Sequence, residues 1–312
     1  MMKKIAIVIT AFVSLALTGC QTDPWEDIEE GNWNNERSIL SLKFENQIGQ
    51  PVITRTDENT GEIEVSINAD AVPDLSSITL EQLVLSYNAK STVVEGESLN
   101  FENENNTSSL VVTSPTGKTR EYTIKVNPFQ ETILGTYQIQ DLVLYGGTGP
   151  EYGGGGVLSL TSKPWVWPEN GPEKELDNYL VFELSGITEE GNTYGTVTNY
   201  AGEDETYADF TFVAEPTTDV NHFYRKIPKG QAEWSRNYTN GTITFTFEDG
   251  RTTTGTFEGP GTEDLGNGLS KTIENYAFAF NLNGTDDWDN IYSDYDKFVK
   301  KPRRYWIDVV KE

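Results

Sequence analysis

Trp165 and Trp167 are separated by a single residue, and they are the pair of side chains in this chain that most clearly suggests a binding chemistry. In an extended backbone, residues two apart point to the same side, so this spacing predicts two indoles side by side. Such a pair would stack on the apolar faces of sugar rings, and the nearby Glu169 and Asn170 would hydrogen-bond sugar hydroxyls. The alternative is that both indoles are buried under a long loop or at a domain interface, because filling a core is the usual role of aromatic side chains.

A glycine-rich stretch, residues 146–156, precedes this pair of tryptophans. It begins directly after Tyr145 and includes Tyr152. It lacks the Gly-Lys-Ser/Thr ending of a phosphate-binding loop, and no βαβ unit surrounds it. The stretch therefore predicts either a flexible or closely packed loop beside a site or a long turn. Both tyrosines are candidate glycan-binding residues, because residues 129–312 contain 13 of the 15 tyrosines and five of the seven tryptophans.

The segment 283–296 combines aspartates with aromatic side chains. Its carboxylate oxygens would suit a hard cation such as calcium, with Asp286, Asp287 and Asp289 as the candidate ligands. The spacing does not follow the EF-hand pattern, and a solvated acidic loop is the alternative. In the same segment, Trp288 and Tyr292 would extend an aromatic surface.

The chain has few of the residue types that enzymes use as nucleophiles or metal ligands. It contains one histidine, His222, one cysteine, Cys20, and no Gly-x-Ser-x-Gly motif. A serine-histidine-aspartate triad would therefore depend on His222, and the common zinc sites lack ligands. Glycosidases need only two carboxylates, so a carboxylate-pair glycosidase or lyase stays open as an alternative to a non-catalytic protein. No cofactor is indicated apart from calcium at the aspartates.

The chain is strongly acidic, with 23 basic residues, 49 acidic residues and a formal net charge of −26. Such a surface repels phosphate backbones, so nucleic acid is not an expected partner. Basic residues concentrate near the C-terminus, between Lys297 and Lys311. There they would either receive an acidic group or protect a strand edge.

The N-terminus has the composition of a secretory signal. Two lysines precede an apolar run from Ile5 to Leu17, which is shorter than the roughly 20 residues of a membrane-spanning helix. The closing Leu-Thr-Gly-Cys, which ends at Cys20, resembles the lipobox of bacterial lipoproteins. This resemblance implies that residues 1–19 are removed, that Cys20 is acylated, and that the protein is lipid-anchored in the outer membrane.

Residues 20–37 are acidic and contain few apolar side chains, which predicts a flexible tether. The acidic residues soon after Cys20 resemble the export signal of surface-exposed lipoproteins in Bacteroidetes-type bacteria. That resemblance implies an outward-facing protein. The alternative is a polar spacer without a sorting function.

Residues 38–128 alternate apolar and polar side chains with the period of β-strands. Six or seven short strands, with a hairpin turn at residues 114–117, predict an immunoglobulin-like sandwich. The segments ILSLKF, LSYNA and VVTSPTGKTREYTIKV are similar to the cadherin- or Ig-like N-terminal domain of Bacteroidetes surface lipoproteins. Those proteins include SusE/SusF-like and other surface glycan-binding proteins. The resemblance implies a stalk domain in a glycan-related setting, and it assigns no site residue.

Residues 129–312 contain about ten segments of strand-like alternation, separated by Gly, Asn and Asp turns. The clearest segment is Thr242–Phe247, in which Ile243, Phe245 and Phe247 share one face and threonines share the other. The pattern predicts a larger antiparallel β-domain, a jelly-roll-like sandwich, in an all-β chain. A barrel is the alternative, because the entry ILGTYQI resembles lipocalin-like domains.

These features predict a lipoprotein at the cell surface that captures a polysaccharide or oligosaccharide without catalysis. Its expected partners are the glycan, the membrane through the lipid anchor, and an outer-membrane glycan transporter. The alternative is a structural or adhesive surface protein, whose aromatic side chains fill its core and interfaces.

Overall fold

The computed structural model describes residues 33–312 except Asp70 and Pro73. The signal sequence, Cys20 and most of the predicted tether lie outside the described residues. The chain divides into two compact units, of which the first ends at Pro128 and the second begins at Phe129; residues 48–50 group with the second. None of the helices within the described ranges is long and apolar enough to cross a membrane.

The first unit is a β-sandwich, as predicted. Its strands are β1 (Ile39–Phe44), β2 (Gln47–Arg55), β3 (Thr60–Asn68), β4 (Ile78–Leu85), β5 (Lys90–Ser91), β6 (Ser98–Leu99), β7 (Thr107–Thr113) and β8 (Thr119–Phe129). One sheet has the order β1-β4-β6, and the other has the order β2-β3-β8-β7-β5. Both sheets contribute to one buried cluster, in which Phe44 of β1 and Ile124 of β8 take part.

Strand β8 illustrates how the local pattern forms this core. Tyr122, Ile124 and Val126 are buried, while the residues between them face solvent. The strand pairs with β7 across the predicted hairpin turn. In that turn Gly117 has φ +85° and donates its N–H to the carbonyl of Ser114 at 2.9 Å, a backbone conformation that glycine adopts readily.

The second unit contains thirteen strands. They are β9 (Gly135–Gly146), β10 (Gly156–Ser159), β11 (Tyr179–Ile187), β12 (Thr193–Tyr200), β13 (Thr211–Phe212), β14 (Thr218–Asp219), β15 (Gly230–Asn237), β16 (Thr242–Thr246), β17 (Thr252–Glu258), β18 (Gly261–Gly266), β19 (Leu269–Ile273), β20 (Tyr276–Asn281) and β21 (Pro302–Lys311). The helical segments are short: four 3-10 turns (Pro150–Tyr152, Leu160–Ser162, Pro164–Val166 and Pro172–Glu175), one α-helical turn (Asn221–Tyr224) and one π-helical turn (Asp296–Lys300).

Eight of these strands form a closed barrel. β9, β11, β12, β15, β16, β17, β20 and β21 pair in chain order, and β21 then pairs with β9. The closing register places Tyr305 opposite Leu144 and Ile307 opposite Leu142. The expected jelly-roll-like sandwich is therefore wrong, and the barrel alternative is confirmed. Because β9 and β21 pair with each other, their backbone N–H and C=O groups are hydrogen-bonded. In an open sheet these two strands would be edges with unpaired backbone groups.

Aromatic side chains fill the barrel interior. Phe182 and Phe278 stack with ring centroids 5.4 Å apart, and Phe245 lies 5.9 Å from Phe278. The interior cavity beside Leu180 and Tyr305 has a volume of about 10 Å³. That is space for about one water molecule, so this cavity is too small for a ligand.

The connections between strands differ at the two ends of the barrel. At one end, here called the long-loop end, the chain makes the connections 147–178, 201–229 and 282–301 and the turn 247–251. At the other end, here called the turn end, β11 joins β12 through residues 188–192 and β15 joins β16 through residues 238–241. The hairpin of β18 and β19, between β17 and β20, packs on the outside of the barrel against Trp306.

Candidate functional site

The prediction that the indoles of Trp165 and Trp167 lie side by side is wrong, because one indole is exposed and the other is buried. The backbone from Pro164 to Val166 is a 3-10 turn and not an extended strand, which removes the two-residue repeat. Trp165 is 66% exposed, whereas Trp167 is 5% exposed. Trp167 donates its Nε1–H to the carbonyl of Leu160 at 2.8 Å and meets the ring of Phe298 edge-on at 5.4 Å. Trp167 is therefore a core residue that closes the long-loop end.

Tyr145, Glu169 and Asn170 have three different environments. Tyr145 is buried on the outer side of β9, with the guanidinium of Arg303 5.7 Å from its ring centroid. Glu169 and Asn170 are exposed in the turn after Trp167. Glu169 also borders a surface groove of about 190 Å³. Tyr145 is thus removed from the candidate binding residues by burial, while Glu169 and Asn170 are accessible.

Three exposed aromatic side chains come together from two loops of the long-loop end. Tyr152 is 65% exposed, Trp288 is 54% exposed and Tyr292 is 59% exposed. The rings of Tyr152 and Trp288 lie 5.9 Å apart at an angle of 64°. The hydroxyl of Tyr292 donates to the carbonyl of Tyr152 at 3.1 Å. These contacts form a ring cluster that faces solvent.

A salt bridge links Trp165 to this cluster. The amino group of Lys163 lies 5.9 Å from the ring centroid of Trp165 and forms an ion pair with Asp294, two residues after Tyr292. The part of the connection 147–178 that follows β10 is thereby tied to the connection that carries Trp288 and Tyr292. We call Tyr152, Trp165, Trp288 and Tyr292 the aromatic surface.

Asp296 is the residue that holds the two principal loops together. Its side chain is fully buried and accepts two hydrogen bonds from Thr148, one from the backbone N–H and one from the hydroxyl, each at 2.7 Å. The hydroxyl of Thr148 in turn accepts the backbone N–H of Asp287 at 2.8 Å. Sequence reasoning missed this function of Asp296, because its partner lies 148 residues away and Asp296 differs in no visible way from the neighbouring aspartates.

The glycine-rich stretch is a closely packed loop beside the aromatic surface, which was one of the two predicted alternatives. Gly149 has φ +58°, and a Cβ there would lie 3.0 Å from the indole of Trp288. A Cβ at Gly154 would lie 1.9 Å from the carbonyl oxygen of Thr148. Both positions therefore require glycine for the loop to approach its neighbours.

Tyr292 has an unusual backbone conformation, with φ 75°. A positive φ is uncommon for a residue other than glycine and carries strain, which the surrounding structure must compensate. The amino group of Lys297 donates to the carbonyl of Tyr292 at 2.8 Å, and burial lowers the pKa of this lysine. The ring of Tyr292 is thus held in position by contacts at both its hydroxyl and its backbone.

The candidate calcium ligands are not arranged around a common point. Asp286 forms ion pairs with Lys301 at 3.2 Å and Arg303 at 3.6 Å. Asp287 accepts the side-chain N–H of Asn290 at 2.7 Å. Across residues 33–312, Asp70 and Pro73 excepted, no group of three or more His, Cys, Asp or Glu side chains is placed to hold a metal ion. The structure therefore does not assemble a calcium site from Asp286, Asp287 and Asp289.

Two carboxyl groups with perturbed titration lie away from the aromatic surface. Burial raises the pKa of Asp308 and of Glu263, on β21 and in the β18–β19 hairpin respectively. Asp308 is paired with Lys271 at 2.5 Å, and Glu263 with Arg304 at 3.2 Å. These carboxyl groups belong to ion pairs between the barrel and its outer hairpin.

Protein-family models and curated proteins were both compared with the chain, and neither comparison finds a match. The geometry of the aromatic surface and the N-terminal sequence therefore carry the functional assignment.

Proposed function

We propose that this protein captures glycan at the cell surface without catalysis, using the aromatic surface as its binding site. One observation carries the proposal: four exposed aromatic side chains from the connections 147–178 and 282–301 lie at one end of a barrel whose core is packed with aromatic side chains. Large apolar side chains that face water at a common place mark interaction sites on soluble proteins. Aromatic rings offer apolar faces that match the C–H faces of sugar rings.

The geometry of the rings suggests the form of the ligand. Tyr152 and Trp288 meet at 64°, so they make an angled wall and not a flat plane. An angled wall contacts two faces of a single flexible chain better than it contacts a flat crystalline surface. Asp287 and Asp289 near Trp288, and Glu169 and Asn170 near Trp165, supply acceptors and donors for sugar hydroxyls.

The N-terminal sequence supplies the cellular setting of the proposal. Acylation of Cys20 would anchor the chain in the outer membrane, and the acidic tether would leave the folded units free to reach a polymer outside the cell. Many anchored copies on one polymer would raise the overall affinity of a weak single site. The captured glycan would then be available to a neighbouring outer-membrane transporter.

Affinity electrophoresis in gels that contain different neutral polysaccharides tests this function. We expect at least one polysaccharide to retard the wild-type chain. Replacing Tyr152, Trp165, Trp288 and Tyr292 by alanine should weaken retention by about ten-fold or more, since each ring contributes stacking energy. The matched control replaces Tyr87 and Tyr194, two exposed tyrosines outside the aromatic surface, and should retain wild-type mobility.

Three results would count against the proposal. Absence of retardation by every polysaccharide would favour a structural or adhesive protein. Equal retention of the four-residue variant and the wild type would place the site elsewhere. Release of new reducing ends from the polysaccharide would indicate a glycosidase.

A further inference from the structure

A cleft lies at the long-loop end, apart from the aromatic surface and built from other segments of the chain. It is an open cleft of about 690 Å³ formed by the connection 201–229, the start of β15 and the turn 247–251. Its volume is within the range of about 300–1,000 Å³ that is usual for small-ligand sites. No residue that lines this cleft belongs to the aromatic surface.

Two of the three cations in this cleft are already neutralised by carboxylates. Arg225 forms an ion pair with the buried Glu175 at 2.7 Å. Arg251 forms an ion pair with Asp249 at 2.7 Å and lies 4.8 Å from the ring centroid of Phe247. Hydrogen bonds from Arg251 also lower the pKa of Asp249, which keeps this partner ionised.

Lys229 is the lining cation of the cleft that forms no salt bridge within the described residues. Its amino group lies 5.3 Å from the ring centroid of Tyr207, and burial and the charge of Arg225 lower its pKa. Glu175 and Asp209 attract it from a distance, but within the described part of the chain neither forms an ion pair with it. A carboxylate placed beside Lys229 would offset both its desolvation and its repulsion from Arg225.

The remaining lining suits a sugar ring. Phe247, which is half-buried, supplies apolar contact, and Gln231 supplies both a donor and an acceptor. Glu248, the other carboxylate of the lining besides Asp249, is exposed on the turn and can accept hydroxyl hydrogen bonds. With these pairs counted, the cleft is close to electrically neutral, in contrast to the net charge of −26 of the whole chain.

We propose that this cleft binds a sugar residue that carries a carboxylate, with Lys229 as the residue that receives the carboxylate group. The choice of a sugar as the ligand rests on the proposed function, whereas the choice of an acidic ligand rests on Lys229. The chain would thus hold an acidic glycan at two places, by stacking at the aromatic surface and by charge in the cleft.

The test is isothermal titration calorimetry of the full chain in detergent with two probes, trigalacturonate and the same trisaccharide after reduction of its carboxyl groups. We expect the acidic probe to bind about ten-fold more tightly or better, as a charge-assisted hydrogen bond implies. Lys229→Gln should remove this preference. The matched control Lys174→Gln changes a lysine paired with Asp204 outside the cleft and should preserve it.

The outcomes separate the cleft from the aromatic surface. Three outcomes would overturn the cleft proposal: equal binding of the two probes, no binding of either probe, or an unchanged preference for the acidic probe in Lys229→Gln. Each would do so even if neutral polysaccharides still retard the chain. Tight binding of trigalacturonate that depends on Lys229 and survives the four-residue aromatic variant would support it. The cleft proposal would then be supported even if neutral polysaccharides failed to retard the protein. Such a failure would overturn only the proposed binding at the aromatic surface.

Discussion

Both ends of the barrel contain a buried carboxylate, but the two carboxylates have different kinds of partner. At the turn end, Glu131 accepts from the guanidinium of Arg236 at 2.7 Å, from the hydroxyl of Thr193 at 2.5 Å and from the hydroxyl of Tyr238. At the long-loop end, Asp296 accepts two hydrogen bonds from Thr148, a neutral residue. Glu131 therefore has a direct ion-pair partner in Arg236, whereas Asp296 accepts its hydrogen bonds from a neutral residue and has Lys297 as a nearby charge.

The comparison shows that a buried, hydrogen-bonded carboxylate has a different structural role at each end of the barrel. The network of Glu131 ties the entry of the barrel to the ends of β12 and β15, where the turns are short. The network of Asp296 ties together long loops whose outer side chains, Tyr152 and Trp288, face solvent. A buried carboxylate stabilises closure at one end and positions a surface at the other.

The largest expected effect comes from Trp167→Ala at the long-loop end. Removing an indole that is 5% exposed should lower the free energy of unfolding by about 4 kcal/mol, through lost burial and a residual cavity. Trp165→Ala, one turn away and exposed, should change it by less than about 0.5 kcal/mol. Denaturant titration followed by fluorescence measures both values. Similar losses for the two variants would contradict the assignment of one indole to the core and the other to the surface.

Glu131→Ala tests the turn end. It leaves Arg236 and Tyr238 without their buried acceptor, so we expect a loss of about 3 kcal/mol in the free energy of unfolding. Retention by polysaccharide should stay at the wild-type level, because the aromatic surface lies at the other end. Glu233→Ala on β15 is the control, since this carboxylate is exposed. A loss of glycan retention in folded Glu131→Ala would contradict the proposal that binding depends on the long-loop end and not on the turn end.

Asp296→Ala tests the long-loop end, with a smaller effect on stability and a larger one on binding. It leaves the N–H and hydroxyl of Thr148 without their acceptor, which should cost about 2 kcal/mol. Polysaccharide retention should fall at temperatures where the variant is folded, because Tyr152 and Trp288 lose their common support. Asn283→Ala, which changes an exposed polar residue in the same connection, serves as the control. Wild-type retention in Asp296→Ala would show that the loops keep their arrangement without this carboxylate.

The smallest expected effect is a dependence on alkaline pH at the turn end. Burial raises the pKa of Tyr137 and Tyr238, and the nearby Glu131 adds to the rise. Unfolded phenols ionise near pH 10, so above that pH the unfolded chain loses protons first and stability falls. Below pH 10 this contribution to stability is fully present. Denaturant titrations at pH 8 and 10.5 measure the fall in the free energy of unfolding, which should be smaller in Tyr137→Phe than in the wild type. An equal fall in the two proteins would contradict the assigned contribution of Tyr137.

Much of the strand pattern could be predicted from the sequence, because the period of a strand is local. Ile243 and Phe245 are buried in the barrel, and the alternating Thr242, Thr244 and Thr246 are only partly buried, as the alternation predicts. Phe247 departs from the pattern, because β16 ends at Thr246 and the ring lies under Arg251 in the following turn. The end of a strand depends on the length of its pairing partner, which local alternation does not record.

The all-β class and the hairpin turn with Gly117 follow from local sequence patterns, and the aromatic side chains of the candidate site are visible in the sequence. The anchoring at Cys20 stays a prediction from the sequence. The closure of β21 on β9 is visible only in the folded molecule, because inward and outward alternation is the same in a sandwich and in a barrel. The same holds for the exposure of Trp165, the burial of Trp167 and the hydrogen bonds from Thr148 to Asp296. Burial and pairing depend on residues that are distant in the chain, and spacing along a sequence does not contain them.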